Sequence, residues 1–468
     1  MRNRQKCRLR IKRNRKLIIM AKKFEKTWES IDSRPVPSWF DEAKFGIFIH
    51  WGIYSVPAYA PKRNTVESTG LAYAEWYGWQ QHQKYAPYYD FHKRVYGEDF
   101  QYEDFVTQWK AEMFDAKKWA QLFKKAGAKY VTLVSKHHDA FCLWPSYYSW
   151  NWNSVELGPH RNIVKEVLEA CDEVGITRGL YYSLLEWTHP VLRRPDPQNA
   201  DIARYAVEKM IPQMKELIEE YKPKVLFTDG EWSYPSEKWH SLDFLTWLFN
   251  ESSVKNDIVI NDRWGSDTRC RHGGYFGTEY GEVNSGAQSE EESLALLTSR
   301  KWEENRSIGA SFGYNRNEDI EDYLSQRQVI ELLCDIVAKG GNLCLNVGPC
   351  ADGTIAPVIQ ERLLQLGTWL DVNGESIYSS RPVRVEGLPE YALATSRGKN
   401  IYILCKKYPK EELCIKNAGI TGNSRVSLLG SNAKVAYGAS AGCVHFKAPA
   451  LYAAELPCDC AQVFKIEN

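Results

Sequence analysis

Between about residue 40 and residue 380, the chain alternates short apolar runs with longer amphipathic segments. Eight of the runs are strand candidates: Phe45–Trp51, Tyr130–His137, Thr177–Ser183, Val225–Asp229, Ile258–Asp262, Tyr275–Glu279, Ile308–Gly313 and Asn342–Val347. Several are almost wholly apolar, as strands covered on both faces should be. Eight strands that alternate with helices predict an α/β chain with a (β/α)₈ TIM-like barrel, rather than an open doubly wound sheet.

The helical segments have recognisable first and last residues. Asp115 is placed to cap a helix that ends at Gly127, and Ser325 with Gln328 forms a capping box ahead of another. Pro357 suits the first turn of a last helix. These signals support the alternation of strands and helices.

After Arg381-Pro382 the pattern changes to short β-type runs. Tyr391–Ser396 and Ile401–Cys405 read as a hairpin, and further runs follow at Val426–Leu429, Ala433–Tyr437, Val444–Phe446 and Gln462–Ile466. We therefore expect a small C-terminal antiparallel β-sandwich domain. The predicted division is a basic tail over residues 1–27, the barrel over 28–382 and the sandwich over 383–468.

The basic residues of the N-terminal tail set it apart from the rest of the chain. Residues 1–16 carry nine Arg or Lys and no acid, whereas the remainder has 51 basic and 59 acidic residues. The tail is either a binding arm or a misassigned start, with Met20 as the first residue. An acidic remainder predicts no nucleic-acid surface, and no window approaches the roughly 20 apolar residues of a membrane span.

The N-terminus and the cysteines bear on the compartment. The tail lacks the apolar core of a secretion signal. Twelve cysteines in 468 residues do not make a disulfide framework. Both observations favour a cytoplasmic location, with a secreted, periplasmic or lysosomal one as the alternative if the true N-terminus differs.

Polar residues stand at the ends of the predicted strands. They are Asp229, Glu279, His50, His137, His138, Tyr181 and Arg263. The carboxyl ends of barrel strands converge on one site, so these side chains are expected to meet. Each also has a structural reading, because a strand-end Asp often caps a loop and paired histidines often bond each other. The coincidence of all of them favours a site.

Two carboxyl groups among aromatic rings suit the cleavage of a sugar acetal. One carboxyl group attacks or activates water, and the other protonates the leaving oxygen. The chain holds 17 Trp and 27 Tyr, whose faces pack against sugar rings, and the long insertion 58–115 is rich in both. Insertions at this end of a barrel usually build the pocket.

Two other functions remain open from these residues. A metal-dependent barrel hydrolase would use His50, His137, His138 and Asp229 as ligands, although the chain lacks the usual ligand spacings. A glycan-binding protein would use the same pocket without turnover. A chelator and a hydrolysis assay would separate the three.

Several stretches resemble the α-L-fucosidases of glycoside hydrolase family 29. The strongest is Trp39-Phe40-Asp41-Glu42-Ala43-Lys44-Phe45-Gly46-Ile47-Phe48-Ile49-His50-Trp51-Gly52. Others are Lys136-His137-His138-Asp139, Asn261-Asp262-Arg263-Trp264-Gly265, Ser311-Phe312-Gly313-Tyr314-Asn315 and Gly341–Pro349. The resemblance runs from about residue 28 to residue 380, and is weak in the C-terminal part.

The resemblance implies a retaining exo-α-L-fucosidase that acts on fucosylated oligosaccharides or glycoconjugates without metal or cofactor. By position, Asp229 matches the family's nucleophile and Glu279 its acid/base, with Glu282 as the local alternative because some members place the acid at the position of Tyr280. The implied fucose pocket consists of His50, Glu75, Trp76, His137, His138, Tyr181, Arg263 and Phe312. A homo-oligomer is compatible with this reading.

Overall fold

Eight strands form one parallel sheet in the order β5-β4-β3-β2-β1-β8-β7-β6. Their bounds are β1 Phe45–Ile49, β2 Tyr130–Lys136, β3 Gly179–Ser183, β4 Val225–Asp229, β5 Val259–Ile260, β6 Phe276–Glu279, β7 Trp302–Ser307 and β8 Asn342–Val347. The two end strands approach each other, since the Tyr275 amide donates to the Ile260 carbonyl oxygen at 3.0 Å. The sheet therefore curls into the predicted TIM-like barrel.

The computed structural model describes residues 23–62, 72–192, 201–280, 292, 295 and 299–468. Its helices are α1 Trp28–Asp32, α2 Ser38–Ala43, α3 Tyr77–His82, α4 Ala86–Val95, α5 Ala116–Lys125, α6 Ile163–Glu173, α7 Asp201–Tyr205, α8 Ile211–Tyr221, α9 Ser241–Asn250, α10 Gln326–Ala338 and α11 Pro357–Asn373. None of these helices is long and apolar enough to cross a membrane. The basic segment 1–16, Met20 and Glu282 lie outside the described residues.

Aromatic side chains fill the interior of the barrel. Phe48 on β1 meets Phe227 on β4 at a ring-centroid distance of 5.2 Å, across the barrel axis. Phe40 on α2 stacks on Tyr275 at 4.7 Å and closes the end opposite the strands' carboxyl termini. The interior is a packed core, as in other barrels of this type.

The predicted helix caps are confirmed. Asp115 accepts a hydrogen bond from the Lys118 amide at the start of α5. Ser325 and Gln328 form the expected capping box of α10.

The seventh predicted strand is wrong. The sequence favoured Ile308–Gly313, but the strand is Trp302–Ser307 and the predicted run is a loop. The true strand reads Trp-Glu-Glu-Asn-Arg-Ser and has no apolar pattern. The strand can be buried because its carboxyl groups accept hydrogen bonds from side chains inside the barrel. Glu303 accepts a hydrogen bond from Tyr130 and Glu304 accepts one from Thr278.

Two antiparallel sheets follow the barrel, as the predicted sandwich requires. One has the order β13-β16-β11-β10-β9 and the other β12-β15-β14. Their bounds are β9 Arg381–Pro382, β10 Ala392–Arg397, β11 Asn400–Cys405, β12 Leu413–Lys416, β13 Arg425–Leu428, β14 Ala436–Ser440, β15 Cys443–Lys447 and β16 Gln462–Glu467. The sequence pattern missed β9 and β12, and placed β14 too early. The domain boundaries stay predictions.

The larger C-terminal sheet packs on the last two barrel helices. Trp369 on α11 donates from its indole to the Ala461 carbonyl oxygen at 2.8 Å. Lys406 pairs with Asp335 on α10 at 2.6 Å. Both contacts are made with helices and not with the carboxyl ends of the strands. Ala461 and Lys406 therefore do not cover that end of the barrel.

Candidate active site

A cavity of about 190 Å³ opens at the carboxyl ends of the barrel strands. All ten residues that the sequence singled out line it: His50, Glu75, Trp76, His137, His138, Tyr181, Asp229, Arg263, Glu279 and Phe312. Eight of them come from barrel strands or the loops directly after them, and two come from the insertion. The structure therefore brings the predicted residues together, whereas their individual roles stay predictions.

Asp229 is the last residue of β4, and its carboxylate is held on several sides. Arg263 donates from Nη1 to Oδ1 at 2.7 Å, and the Tyr181 hydroxyl donates to Oδ2 at 3.0 Å. Burial by itself would raise the pKa of Asp229, but the surrounding groups, with the charge of Arg263 first and those of His138 and Arg269 after it, together outweigh burial and lower that pKa to about 2. Asp229 is thus ionised at any working pH.

Glu279 ends β6 and contacts the other nitrogen of the same guanidinium, Arg263 Nη2. Its side chain is 36% exposed, whereas that of Asp229 is 12% exposed. One buried arginine therefore joins a deep carboxylate to one at the cavity mouth. The neighbouring Tyr280 donates its hydroxyl to the Ala310 carbonyl oxygen at 3.1 Å.

Hydrogen bonds fix the orientation of two histidines. Ser183 donates its hydroxyl hydrogen to the Leu185 carbonyl oxygen at 2.6 Å, so it accepts from His138 Nδ1–H at 2.6 Å. Likewise His50 Nδ1 donates to Oδ1 of the Asn346 side-chain amide at 2.7 Å. Burial lowers the pKa of both imidazoles to about 4. Each is neutral and keeps its Nε2 lone pair as a hydrogen-bond acceptor.

His137 has a different environment from the other two histidines. It is buried, and its Nδ1 has no hydrogen-bond partner among the described residues. Burial lowers its pKa well below the ordinary value. Its ring stacks at 5.8 Å on Tyr181, which binds Asp229.

The insertion contributes Glu75 and Trp76 to the cavity, as predicted. Glu75 Oε2 accepts from the Gly313 amide at 2.8 Å and from the Ser311 hydroxyl at 3.2 Å. These bonds attach the insertion to the loop that carries Phe312. Burial raises the pKa of Glu75 to about 7, so this carboxyl group holds its proton at mildly acidic pH.

Sequence reasoning missed five lining residues: Phe48, Tyr73, Phe227, Trp232 and Arg269. Phe48 and Phe227 stand two residues before His50 and Asp229, so the two-residue period of a strand could have found them. Arg269 carries no such signal. It arrives from the loop after β5, where it binds Glu231 at 2.5 Å and approaches Asp229 at 3.9 Å.

Within the described residues, no group of three His, Cys, Asp or Glu side chains has the arrangement of a metal site. His50 and His138 each direct one ring nitrogen to a protein oxygen. Asp229 has its oxygens on Arg263 and Tyr181. Polar side chains and aromatic rings line the cavity together.

A parallel barrel whose strand-end cavity holds two carboxyl groups, neutral histidines and tryptophans is typical of one class of protein, the glycoside hydrolases. A family model described as alpha-L-fucosidase matches residues 13–375. The chain belongs to this family, the α-L-fucosidases of glycoside hydrolase family 29.

Curated relatives agree with the family. The tissue alpha-L-fucosidase of Bos taurus is 43% identical over 407 residues, which cover 86% of this chain and 82% of the relative. The plasma alpha-L-fucosidase of Homo sapiens is 41% identical over 88% of this chain and 85% of its own length.

Solved structures show the same fold. The alpha-fucosidase of Thermotoga maritima, in complex with a mechanism-based inhibitor, has a TM-score of 0.78 and 35% identity. The match covers 95% of this chain and all of the other. The same enzyme in complex with fucose has a TM-score of 0.77. An α-L-fucosidase of Bacteroides thetaiotaomicron is more distant, with 25% identity and a TM-score of 0.74.

Proposed function

We propose that this α-L-fucosidase is a retaining exo-enzyme that releases terminal α-L-fucose from fucosylated oligosaccharides or glycoconjugates by double displacement. The observation that carries the proposal is the Asp229 carboxylate, which is held ionised by Arg263 at the floor of the cavity. A buried carboxylate with fixed orientation is suited to attack an anomeric carbon.

In the first step, Asp229 forms an ester bond to the anomeric carbon as the glycosidic C–O bond breaks. Glu279 gives its proton to the leaving oxygen. In the second step, Glu279 takes a proton from water, and the resulting hydroxide displaces Asp229 from the anomeric carbon. This role requires Glu279 to exchange its contact with Arg263 for one with the leaving oxygen.

The remaining residues suit the recognition of a deoxy sugar. His50 and His138 offer neutral Nε2 acceptors to hydroxyl groups, and the protonated Glu75 offers a donor. The rings of Trp76 and Phe312 supply apolar faces for the C–H side of the sugar. We assign His137, Tyr181 and Arg263 to the same pocket because each of them lines it.

Glu75 is the second candidate for the acid. Its pKa of about 7 supports a protonated state at mildly acidic pH, and it lines the same cavity as Glu279. Against it, its Oε2 is engaged by Gly313 and Ser311 deep in the pocket, whereas Glu279 lies at the mouth where a leaving group would depart.

The test is fucose release from p-nitrophenyl α-L-fucoside by the wild type and by Asp229→Ala. The variant should lose turnover by at least about a thousandfold, and added azide should restore p-nitrophenol release with β-fucosyl azide as the product. Activity within about tenfold of the wild type would contradict the nucleophile assignment.

A further inference from the structure

A row of tryptophan rings leads out of the active-site cavity. Trp232 stacks near Trp76 at a ring-centroid distance of 5.8 Å, Trp76 meets Trp187 at 5.3 Å, and Trp187 meets Trp79 at 5.9 Å. The first two rings line the active-site cavity, and the last two line a separate cavity of about 190 Å³. Trp187 also lies 5.5 Å from His138, so it forms the wall between the two cavities.

This second cavity combines aromatic faces with hydrogen-bonding groups. Trp79, Trp152 and Trp187 supply the rings, and Gln81, Gln101 and Glu103 supply amide and carboxylate groups. Apolar walls with a few polar groups are typical of small-molecule sites. Amides and carboxylates beside indole faces match the hydroxyl groups and C–H faces of a pyranose ring.

A third, open cavity of about 440 Å³ continues the second and shares Trp152 and Thr188 with it. Tyr147 and Trp150 line it and are 92% and 79% exposed. Exposed apolar side chains that are grouped along a groove are typical of interaction and ligand-binding surfaces. We call the second and third cavities together the aromatic groove.

The loop that carries the exposed rings is held in place by hydrogen bonds. The Tyr147 amide donates to Glu216 at 3.0 Å, and the Trp152 indole donates to the Asp139 carbonyl oxygen at 2.9 Å. Asn153 accepts from the Glu156 amide at 3.0 Å and donates to its carboxylate at 2.6 Å. The backbone is fixed while the rings stay exposed, so little ordering would be needed on binding.

We propose that the aromatic groove is a second carbohydrate-binding site, which holds the neutral oligosaccharide part of the substrate while fucose occupies the active-site cavity. The groove adjoins that cavity across the Trp187 ring, and its lining combines indole faces with amide and carboxylate groups; both features favour a glycan over a protein partner or a second copy of the chain. This inference deepens the proposed function and rests on it for the identity of the substrate.

The test compares binding and catalysis in Trp150→Ala, at the exposed end, and Trp79→Ala, in the second cavity. Trp79→Phe keeps an aromatic face, and Tyr452→Ala removes an 81% exposed ring from the C-terminal region as the matched control. Calorimetry measures the binding of lacto-N-tetraose, a neutral tetrasaccharide without fucose. Thermal melting verifies that each variant is folded.

The wild type should bind the tetrasaccharide, and both alanine variants should weaken binding by about tenfold while Trp79→Phe and Tyr452→Ala do not. The ratio of kcat/KM for a fucosylated tetrasaccharide to that for p-nitrophenyl α-L-fucoside should fall by a similar factor. A wild type without tetrasaccharide binding, alanine variants with unchanged binding, or a change in oligomeric state alone would overturn the proposal.

The two proposals fail in different ways. A wild type that releases no fucose from either substrate would contradict the proposed function, yet calorimetry would still decide whether the groove binds glycans. Normal release from the aryl fucoside with an unchanged ratio in Trp150→Ala would contradict the groove alone.

Discussion

Arg263 donates from Nη1 to the Asp229 carboxylate at 2.7 Å, and through Nη2 it reaches Glu279. A single side chain, itself almost wholly buried, therefore sets the charge of the deep carboxylate and the position of the outer one. Because a guanidinium keeps its proton at any accessible pH, this arrangement does not change with the medium.

Replacing Arg263 should shift the pH dependence of catalysis. The pKa of Asp229 is lowered to about 2, so the nucleophile stays ionised well into the acid range. In Arg263→Met the burial of Asp229 loses its largest offsetting charge, the pKa of Asp229 rises, and the acidic limb of kcat/KM should move to higher pH. We also expect kcat/KM to fall at least about a hundredfold at the pH optimum.

The measurement is the pH profile of kcat/KM on p-nitrophenyl α-L-fucoside. Arg204→Met is the control, because Arg204 is 73% exposed and pairs with Glu208 at the surface. An acidic limb in Arg263→Met at the wild-type position would contradict the electrostatic role.

Replacing Glu279 should affect poor leaving groups more than good ones. A p-nitrophenolate leaves without protonation, whereas a sugar alkoxide requires an acid. Glu279→Ala should therefore lose about a hundred to ten thousandfold in kcat on a fucosylated oligosaccharide, and much less on the aryl fucoside. Azide should yield α-fucosyl azide, with the configuration of the substrate. Glu75→Ala is the comparison. If Glu75→Ala, and not Glu279→Ala, loses much more activity on the oligosaccharide than on the aryl fucoside, the acid role belongs to Glu75.

Much of this site could be predicted because its residues follow recognisable strands. Asp229 ends an apolar run, and that run is a strand with the same bounds in the structure. Glu303 shows where the approach fails. It lies in a strand of charged residues whose burial depends on Tyr130, over a hundred residues away, and no local pattern carries that information. Arg269 was missed for a similar reason, because only the folded loop brings it to Glu231.

Glu75 should produce the basic limb of the pH profile. Burial raises its pKa to about 7, so it loses its proton as the pH rises through neutrality and can no longer donate to a sugar hydroxyl. On p-nitrophenyl α-L-fucoside, whose leaving group needs no proton from Glu279, activity of the wild type should fall above about pH 7. Glu75→Gln keeps a donor at every pH, so its residual activity should stay flat in that range. Glu237→Gln, an exposed residue, is the control. A basic limb that persists in Glu75→Gln would assign it to another group.

The last prediction concerns stability and a buried ion pair beside the barrel. Lys136 at the end of β2 is fully buried and donates to Glu186 at 2.7 Å, and Lys209 binds the other carboxylate oxygen at 2.7 Å. Burial by itself would raise the pKa of Glu186, but the two ammonium groups outweigh it and lower that pKa to about 2. The stabilisation is thus present above the ordinary pKa of 4.5 and is lost as the pH falls from there toward 2.

Glu186→Gln leaves the Lys136 ammonium buried without its counter-ion. We expect this to reduce the free energy of unfolding by about 3–5 kcal/mol near neutral pH. Below about pH 4 the difference in unfolding free energy between variant and wild type should shrink. At that pH the Glu186 carboxylate of the wild type takes up a proton on unfolding, which favours the unfolded state. Thermal melting near pH 7 and near pH 3.5 measures both, with Glu208→Gln as an exposed control. A difference of the same size at the two pH values would mean that packing, and not charge, accounts for the loss.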